Sequence, residues 1–515
     1  MSMRAQGIFA DTLLTISAST DILHTGQGPR HATPISTLSD DVLLEIFHFC
    51  QKNHYPGFRP GTLPEAVWDW HILVHVCRRW RQVVFASPLR LNLQILCTHG
   101  TPVRKNLNIW PPFPINIEYI SRKIKGYRED NVLAALEHPG RVSAVSLLLT
   151  GPQMGKIAMV MQEPFPELRH LHLGQYHISN NVPVLSSEFL GRSAPRLEAI
   201  FFIGIAFPVL PALLLSASNL VTLCLQEIPQ TGYIPPEAMA AGLVTLTRLE
   251  SLLLKFQSPD PHPDRMHLPP ATRTVLPSLT FLCFCGVHEY LEDILAWISA
   301  PLLDQIFIEY FNQFVDFEVP QLWQFIDHTE DLSQLMRCEV RFQHNDVAFV
   351  SRLTTQISEP LSFDCSPFYI KVRILCKRMD KQVSHIAQAL NRTSTTSTML
   401  SNMLHLAIKY DFGFHGPEPW DIDDIEWLEL LRPFSSVQTL FVSKEFAGHV
   451  SRSLENTAVM ATEVLPALDM ICLEGQSVSS GHIFIAARSE SGRPVTTVDT
   501  KAAFDERLMS YVNQS

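Results

Sequence analysis

The sequence lacks paired cysteines. Its ten cysteines are scattered along 515 residues, and no two of them have the Cys-x-x-Cys spacing of zinc sites and dithiol redox sites. Most stand inside apolar runs, where a free cysteine behaves as a small hydrophobic residue. The pattern argues against a disulfide framework and favours a reducing compartment, either cytoplasmic or nuclear.

Positive charge is also in short supply, because 40 Lys and Arg stand against 51 Asp and Glu, a formal net charge of −11. An acidic chain is a poor partner for nucleic-acid phosphates, so we expect no nucleic-acid binding. One long uncharged run, at 199–225, has the length of a membrane span, but Pro208 and Pro211 interrupt it. We expect buried core there and no membrane partner. Asp11 interrupts the first apolar stretch, and no signal peptide is expected.

The common catalytic motifs are missing as well. The chain has no Gly-x-Ser-x-Gly elbow, no Gly-x-x-x-x-Gly-Lys-Ser/Thr loop, no Gly-x-Gly-x-x-Gly turn and no His-Glu-x-x-His motif. His262, Asp264 and His267 lie together in a proline-rich stretch that reads as a solvated loop. The acidic run within 417–431 fits the first turns of a helix, whose dipole favours negative charge. We therefore expect no enzyme, no catalytic residue, no metal and no cofactor.

The composition and the hydrophobic periodicity of the sequence change along the chain. Residues 1–33 are rich in Ser, Thr and Gly and predict a flexible tail, whereas residues 34–95 carry helical periodicity. From 96 to 515, short apolar strands alternate with polar, proline-containing connections. The predicted fold class is α/β, with a small helical domain at 34–95 followed by a repetitive domain at 96–515.

The helical segment holds more apolar surface than it can bury by itself. Ser39 is a suitable N-cap, and the helix that follows through Cys50 is apolar around most of its circumference. We expect a neighbouring domain or another protein to cover the excess. A second run, 65–87, ends before Pro88 and places its apolar residues on one face and three arginines off that face. The apolar residues are Trp70, Leu73, Cys77, Trp80 and Val84, and the arginines are Arg78, Arg79 and Arg81.

These two helical runs resemble the F-box, and they are similar to the F-box proteins abundant in fungi. The first run matches Pro-Ile-x-x-Leu-x-x-x-Val-Leu-x-x-Ile-Phe at 34–47, and the second reads Val-Cys-Arg-Arg-Trp at 76–80 with Ser-Pro at 87–88. The segment NIWPPFPINIEYI at 108–120 is also similar to stretches that recur downstream of such F-boxes. Leu38 is followed by Ser39 where the family usually has proline.

The resemblance implies that the helices dock a Skp-type adaptor and, through it, a cullin–RING ubiquitin ligase. The residues expected to dock, the last three of them partly in the core, are Leu38, Val42, Leu43, Ile46, Phe47, Cys77, Trp80 and Val84. Two other interpretations stay open. One is a non-ligase scaffold whose F-box-like helices only cap the following repeats, with the apolar face of 42–50 packed on 90–120. The other is a nucleic-acid binder that uses the arginines.

The rest of the chain repeats the pattern Leu-x-x-Leu-x-Leu, loosened to any large apolar residue. Successive matches begin at residues 142, 168, 197, 220, 249, 279 and 303, so the intervals run from 23 to 30 residues. Leucine-rich repeats have periods of about 20–29 residues. Each such repeat buries its apolar face only by stacking on neighbours, so an irregular leucine-rich-repeat solenoid is predicted over 96–515. Residues 345–430 are poorly periodic, and the repeat count there stays open.

Strand side chains alternate between two faces, so the residues interleaved with the template leucines should lie on a second, exposed face. We expect this face to bind an unknown target protein through polar residues: His170, His172, Lys255, Glu309, Arg337, Glu339 and Arg341. Gln226 and Glu474 share their phase, as do Phe201, Phe281, Phe307 and Phe441. The predicted function is a substrate-recognition adaptor of a Skp–cullin–F-box ubiquitin ligase.

Overall fold

The computed structural model describes residues 37–52, 70–88, 90–98, 102–109, 111–119, 129–175, 182–259, 273–311, 317–352, 369–391, 397–411, 423–460, 464–473 and 482–498. The predicted tail at 1–33, the predicted polar loop at 262–267 and Glu474 lie outside these residues. The chain divides into two compact units, and along the described residues the division falls between Leu93 and Gln94. The described part of the first unit is helical, and that of the second combines helices with a large sheet.

The described part of the first unit consists of α1 (Asp40–Lys52), α2 (His71–Val76) and α3 (Arg78–Ala86). The Ser39 hydroxyl accepts the Val42 amide at 3.4 Å, which confirms the predicted N-cap. Asp40 and Asp41 lie in the first turn, where the helix dipole favours negative charge. Helix α1 therefore begins where its local sequence indicates.

The single helix predicted over 65–87 is wrong in one respect, because Cys77 interrupts it. This residue has an extended backbone, with φ −157° and ψ 170°. Its sulfur accepts the Trp80 amide at 3.4 Å and so caps α3. Arg81 Nε donates to the Val74 carbonyl at 2.9 Å, at the end of α2. These two side chains satisfy backbone groups that an unbroken helix would pair internally, so the break leaves fewer unpaired groups.

The second unit is a large sheet with helices between its strands. Its strands are β1 (Ile95–Thr98), β2 (Ile115–Tyr119), β3 (Val142–Leu149), β4 (His170–Gln175), β5 (Ala199–Ile203), β6 (Thr222–Ile228), β7 (Ser251–Phe256), β8 (Thr274–Val275), β9 (Phe281–Gly286), β10 (Ile298–Ser299), β11 (Gln305–Tyr310), β12 (Arg337–Phe342), β13 (Asp346–Arg352), β14 (Tyr369–Leu375), β15 (His405–Tyr410), β16 (Thr439–Val442), β17 (Met470–Leu473) and β18 (Thr496–Val498).

Helices connect many of these strands. They are α4 (Val103–Ile109), α5 (Glu129–Leu136), α6 (Gly151–Val160), α7 (Leu210–Leu214), α8 (Pro236–Leu243), α9 (His288–Trp297), α10 (Pro320–Asp327), α11 (Glu330–Ser333), α12 (Met379–Asn391), α13 (Thr398–Ser401), α14 (Asp424–Leu431), α15 (Lys444–Met460) and α16 (His482–Glu490). Asp423 caps α14 by accepting the Ile425 amide at 3.1 Å, in agreement with the helix start predicted within 417–431.

Sixteen of the described strands form one open sheet, in the order β1-β2-β3-β4-β5-β6-β7-β9-β11-β14-β13-β12-β15-β16-β17-β18. The remaining two, β8 and β10, pair separately. All neighbours in the large sheet are parallel except those of β13. Parallel neighbours need a crossover connection, which the intervening helices and turns supply. The fold is therefore α/β with a mostly parallel sheet.

The core lies on one face of this sheet, which we call the core face. Leu171, Ile200, Leu223 and Leu252 are register neighbours on four successive strands, and all four are fully buried. The strand phase predicted from the Leu-x-x-Leu-x-Leu pattern is thus confirmed. A one-residue slip would move every leucine to the opposite face, so this row fixes the register.

The strand order no longer follows the chain order in the region where the leucine pattern is weak. Strand β13 lies between β12 and β14 and is antiparallel to both. Strand β14 pairs with β11, so β12 lies three strands from β11 instead of next to it. The four residues 347–350 of β13 are all buried, on both faces of the strand. Strand β13 is therefore an internal strand that runs against the direction of its neighbours, which a repeat of parallel strands does not predict.

The uncharged run at 199–225 forms β5, α7 and β6, which confirms the prediction that this run is buried core and not a membrane span. In the part of the chain that the structure describes, no helix combines the length and apolar character needed to cross a membrane.

Two carboxylates tie successive helices together. Glu292 on α9 accepts the amides of Gln321 and Leu322, at 2.7 and 2.9 Å, in the first turn of α10. Asp327 at the end of α10 accepts two amides in the first turn of α13, at 3.0 and 2.9 Å. The first amides of a helix have no partner within that helix, so each carboxylate is an N-cap supplied by a neighbouring helix.

Asp327→Ala should therefore lower the free energy of unfolding by about 1–2 kcal/mol, the usual range for loss of a helix cap. Urea denaturation of the full chain measures this change. The matched control is Asp331→Ala, because Asp331 is an exposed acid on the neighbouring helix α11 with no side-chain hydrogen bond among the described residues. We expect the control to change stability by less than about 0.5 kcal/mol. Equal shifts in the two variants would contradict the capping role.

Candidate functional site

The first candidate surface is an apolar stripe on α1, formed by Val42, Ile46 and Phe49. These residues are four and three positions apart, so they lie on one side of the helix. They are 43%, 40% and 65% exposed, respectively. Three large apolar side chains in line on a short helix leave an uncovered hydrophobic surface, which we call the α1 stripe.

The opposite side of α1 builds the core of the first unit. Leu43 and Phe47 are buried, as are Trp80 and Val84 of α3. The rings of Phe47 and Trp80 meet edge to face with their centroids 4.8 Å apart, a favourable aromatic geometry. Four of the residues expected to dock an adaptor therefore hold the helices together and do not reach the surface in this conformation.

The other predicted docking residues divide differently. Val42 and Ile46 belong to the α1 stripe, Leu38 is half-buried just before α1, and Cys77 is exposed while it caps α3. Phe49 was not predicted to dock, although its helical spacing from Val42 places it on the same side. That spacing was the sequence signal that could have identified it.

Two of the three arginines near Trp80 bind groups of their own unit. Arg79 donates from Nε to Asp40 Oδ1 at 3.1 Å and from Nη2 to the same oxygen at 2.7 Å, and it also bonds the Leu38 carbonyl. Arg81 holds the Val74 carbonyl. Arg79 thus joins the start of α1 to α3. Arg79 and Arg81 therefore contribute to the internal bonding of the unit, whereas Arg78 is exposed.

The second candidate surface is the face of the sheet opposite the core face, which we call the polar face. Register pairing brings one residue from each of seven neighbouring strands into its central row: His172, Phe201, Cys224, Leu253, Cys283, Phe307 and Lys371. All seven residues predicted to bind a target lie on this face, interleaved with buried core positions. The structure therefore places them on one surface, although not in one cluster.

Strand order separates the predicted target-binding residues into groups. His170 and His172 lie on β4, Lys255 on β7 and Glu309 on β11. The three residues of β12 lie beyond two further strands, β14 and β13, which the sequence did not place there. Between β4 and β7 the sheet advances three strand spacings, about 14 Å. The two histidines are thus remote from the other groups.

The histidine group is inward-facing. His172 is buried, and its Nδ1 lies 3.2 Å from the Ser146 hydroxyl. Burial lowers the pKa of His172 to about 4, so the ring is neutral at neutral pH. His170 also has a pKa below its ordinary value, mainly because of burial. Neither ring is a cation available to an acidic target at pH 7.

Lys255 and Glu309 line a recess of about 970 Å³ on the polar face. The recess extends from β6 across β7, β9 and β11 to β14. Its apolar lining includes Leu253, Phe281 and Phe307, and the two phenylalanine rings have centroids 5.5 Å apart. A partly apolar hollow with charged groups at its rim is the usual form of a binding site.

Ion pairs fill much of the face beside the recess. Arg373 on β14 reaches Glu309 at 2.8 Å and Asp346 of β13 at 2.6 Å, and these pairs raise the pKa of its guanidinium. On β12, Glu339 accepts Arg341 Nε at 2.7 Å and Lys409 Nζ at 3.0 Å. Burial opposes ionisation of Glu339, but these two cations outweigh it and keep its pKa below the ordinary value. Most charges here are therefore matched within the sheet.

The four phenylalanines of this face are not equally available. Phe201 and Phe441 are buried, and Phe201 packs with Ala199, Cys224 and Leu253 in a small apolar cluster. The prediction of four exposed rings is therefore wrong for these two. Phe281 and Phe307 are half-buried at the recess, where Phe307 also stacks on Tyr369 with a centroid distance of 4.8 Å.

Neither a scan against protein-family models nor a search of the curated proteins finds a match for this chain. Within the described ranges, no group of three or more His, Cys, Asp or Glu residues is placed to hold a metal ion.

Arg373→Met should lower the free energy of unfolding by about 3 kcal/mol, because it leaves Asp346 buried without its ion-pair partner. The Asp346 side chain is only 4% exposed, so water cannot replace the guanidinium fully. Urea denaturation measures this loss. The matched control is Arg196→Met, which breaks the exposed pair with Glu167 and should cost less than about 1 kcal/mol. Similar losses from the two substitutions would contradict this account.

Proposed function

We propose that this chain is a substrate-recognition adaptor of a Skp–cullin–F-box ubiquitin ligase. In this proposal the helical unit is F-box-like and docks a Skp-type adaptor, while the sheet unit is leucine-rich-repeat-like and holds a target protein. The observation that carries the proposal is the α1 stripe, because Val42, Ile46 and Phe49 expose apolar surface opposite a well-packed core. Such surface on a small helical unit is typical of a docking site.

The sequence around this stripe supports the same interpretation. The apolar positions that resemble the F-box divide into a buried set, centred on Phe47 and Trp80, and an exposed set, centred on Ile46. The buried set holds the helices in a fixed arrangement, and the exposed set remains available to a partner. One helix therefore serves both purposes, which explains why it is apolar around most of its circumference.

The sheet unit supports a receptor role through its polar face. The strands recur at the short intervals typical of leucine-rich repeats, and they align one row of side chains after another on a continuous surface. Such a receptor needs no catalytic group of its own. By holding adaptor and target on one chain, it raises the effective concentration of the target near the ligase.

Full-length chain and a Skp-type adaptor should co-purify when co-expressed, and Ile46→Asp should weaken the complex at least about tenfold. The new carboxylate would lose its water in an apolar interface, which is unfavourable. Because Ile46 is already exposed, the substitution leaves the core of the unit intact. Isothermal titration calorimetry of the purified proteins gives the affinity.

The matched control is Ile425→Asp, since Ile425 is an exposed isoleucine on α14 of the second unit. This control should bind the adaptor as the unaltered chain does. Absence of a complex at micromolar concentrations would sink the ligase role, and so would equal binding by the Ile46→Asp variant.

A further inference from the structure

Among the described residues, the polar face contains two cations without a side-chain hydrogen bond or ion pair, Lys255 in the recess and Arg337 on β12. Arg337, at the start of β12, forms no side-chain hydrogen bond or ion pair with any residue in the described part of the chain. It is half-buried, and burial lowers the pKa of its guanidinium. By contrast, Arg341 of β12 and Lys409 of the neighbouring strand β15 both pair with Glu339. Arg337 is therefore the cation of β12 at which an anion from outside would be stabilised.

The strand beside β12 adds a second unpartnered group. His405 on β15 is the register partner of Arg337, and its Nδ1 is buried without a hydrogen-bond partner among the described residues. Burial, together with the charge of Arg337, lowers the pKa of His405. The imidazole is therefore neutral at neutral pH, and the pair carries a single positive charge. A carboxylate, with one negative charge, matches this pair better than a phosphate, which carries about −1.5 to −2.

An apolar contact surface lies close to Arg337 on the same face of the sheet. Tyr369 begins β14 and stacks on Phe307, which lines the recess together with Phe281. Tyr369 and Arg337 lie in the same row, on β14 and β12, and the register places Arg352 of β13 between them. Two strand spacings amount to about 10 Å, which an extended peptide covers in about three residues.

The remaining charges of the recess set the direction of a bound segment. Glu309 is engaged by Arg373, whereas Glu227 and Glu250 line the recess near β6 and β7. Lys255 on β7 offsets one of these two negative charges, so an acidic group is only weakly disfavoured at the β6 side and is attracted by Arg337 at the β12 side.

We infer that the polar face binds an extended acidic segment of a target protein, with an apolar or aromatic side chain against Tyr369 at the edge of the recess and a carboxylate about three residues away on Arg337. The guanidinium donates two parallel hydrogen bonds to the carboxylate, a geometry that arginine favours. This inference rests on the proposed role of the chain as a target receptor, and it is independent of adaptor docking.

The test uses phage-displayed random dodecapeptides selected on immobilised full-length chain. Enriched peptides should carry Asp or Glu two to four residues from Phe, Trp, Leu or Ile. The same selection on the Arg337→Glu variant should replace the acidic residue at that position with Lys or Arg. Arg337→Gln should weaken the best synthetic peptide at least about tenfold. Because Arg337 has no partner among the described residues, these variants should keep the thermal midpoint of the unaltered chain.

The matched control is Lys381→Glu, which reverses an exposed charge on α12 and should select the same peptides as the unaltered chain. The inference is overturned if no peptide family is enriched, if the enriched peptides lack the acidic residue, or if Arg337→Glu selects the same family. A phosphoserine peptide that binds tenfold more tightly than its glutamate counterpart would overturn the choice of a carboxylate. Adaptor binding by these variants is scored separately, so loss of adaptor docking would sink the ligase role and leave this result unaffected.

Discussion

Burial of one row of apolar side chains from every strand is the interaction on which the second unit depends. Register neighbours on four strands illustrate this row, and all four are fully buried: Leu171, Ile200, Leu223 and Leu252. No single strand and helix could bury such a row alone, so stability comes from stacking along the sheet. Because the side-chain period of a strand is two, the same register also aligns the residues of the polar face. The candidate target surface is thus a consequence of the core.

The antiparallel strand β13 changes that surface in the middle of the sheet. It places Asp346 beside Arg373, and this arginine in turn holds Glu309 of β11. It also moves β12 away from β11, and on β12 the nearby Glu339 is already engaged by Arg341 and Lys409, so Arg337 has no ion-pair partner among the described residues. The interruption of the repeat therefore lies in the part of the face that has the most ion pairs, and Arg337 stands unpaired beside them.

Local features of the fold followed from local sequence. The Ser39 cap, the strand phase of the leucine pattern and the buried nature of 199–225 are all set by residues near one another in the chain, and each was predictable. The insertion of β13 was not, because the pairing of β14 with β11, strands that are distant in the chain, leaves no local pattern in the sequence. The break at Cys77 also escaped prediction, since its compensation comes from the side-chain bonds of Cys77 and Arg81. The docking role stays a prediction.

The central claim is that α1 keeps one side for its own unit and offers the other to a partner. Hydrogen–deuterium exchange of the full chain, with and without a Skp-type adaptor, tests it most directly. The account predicts slower exchange of the amides of α1, whose exposed side carries Val42, Ile46 and Phe49, and unchanged exchange along β3–β11. Unchanged exchange in α1 while the adaptor is bound, or protection confined to the sheet, would contradict it.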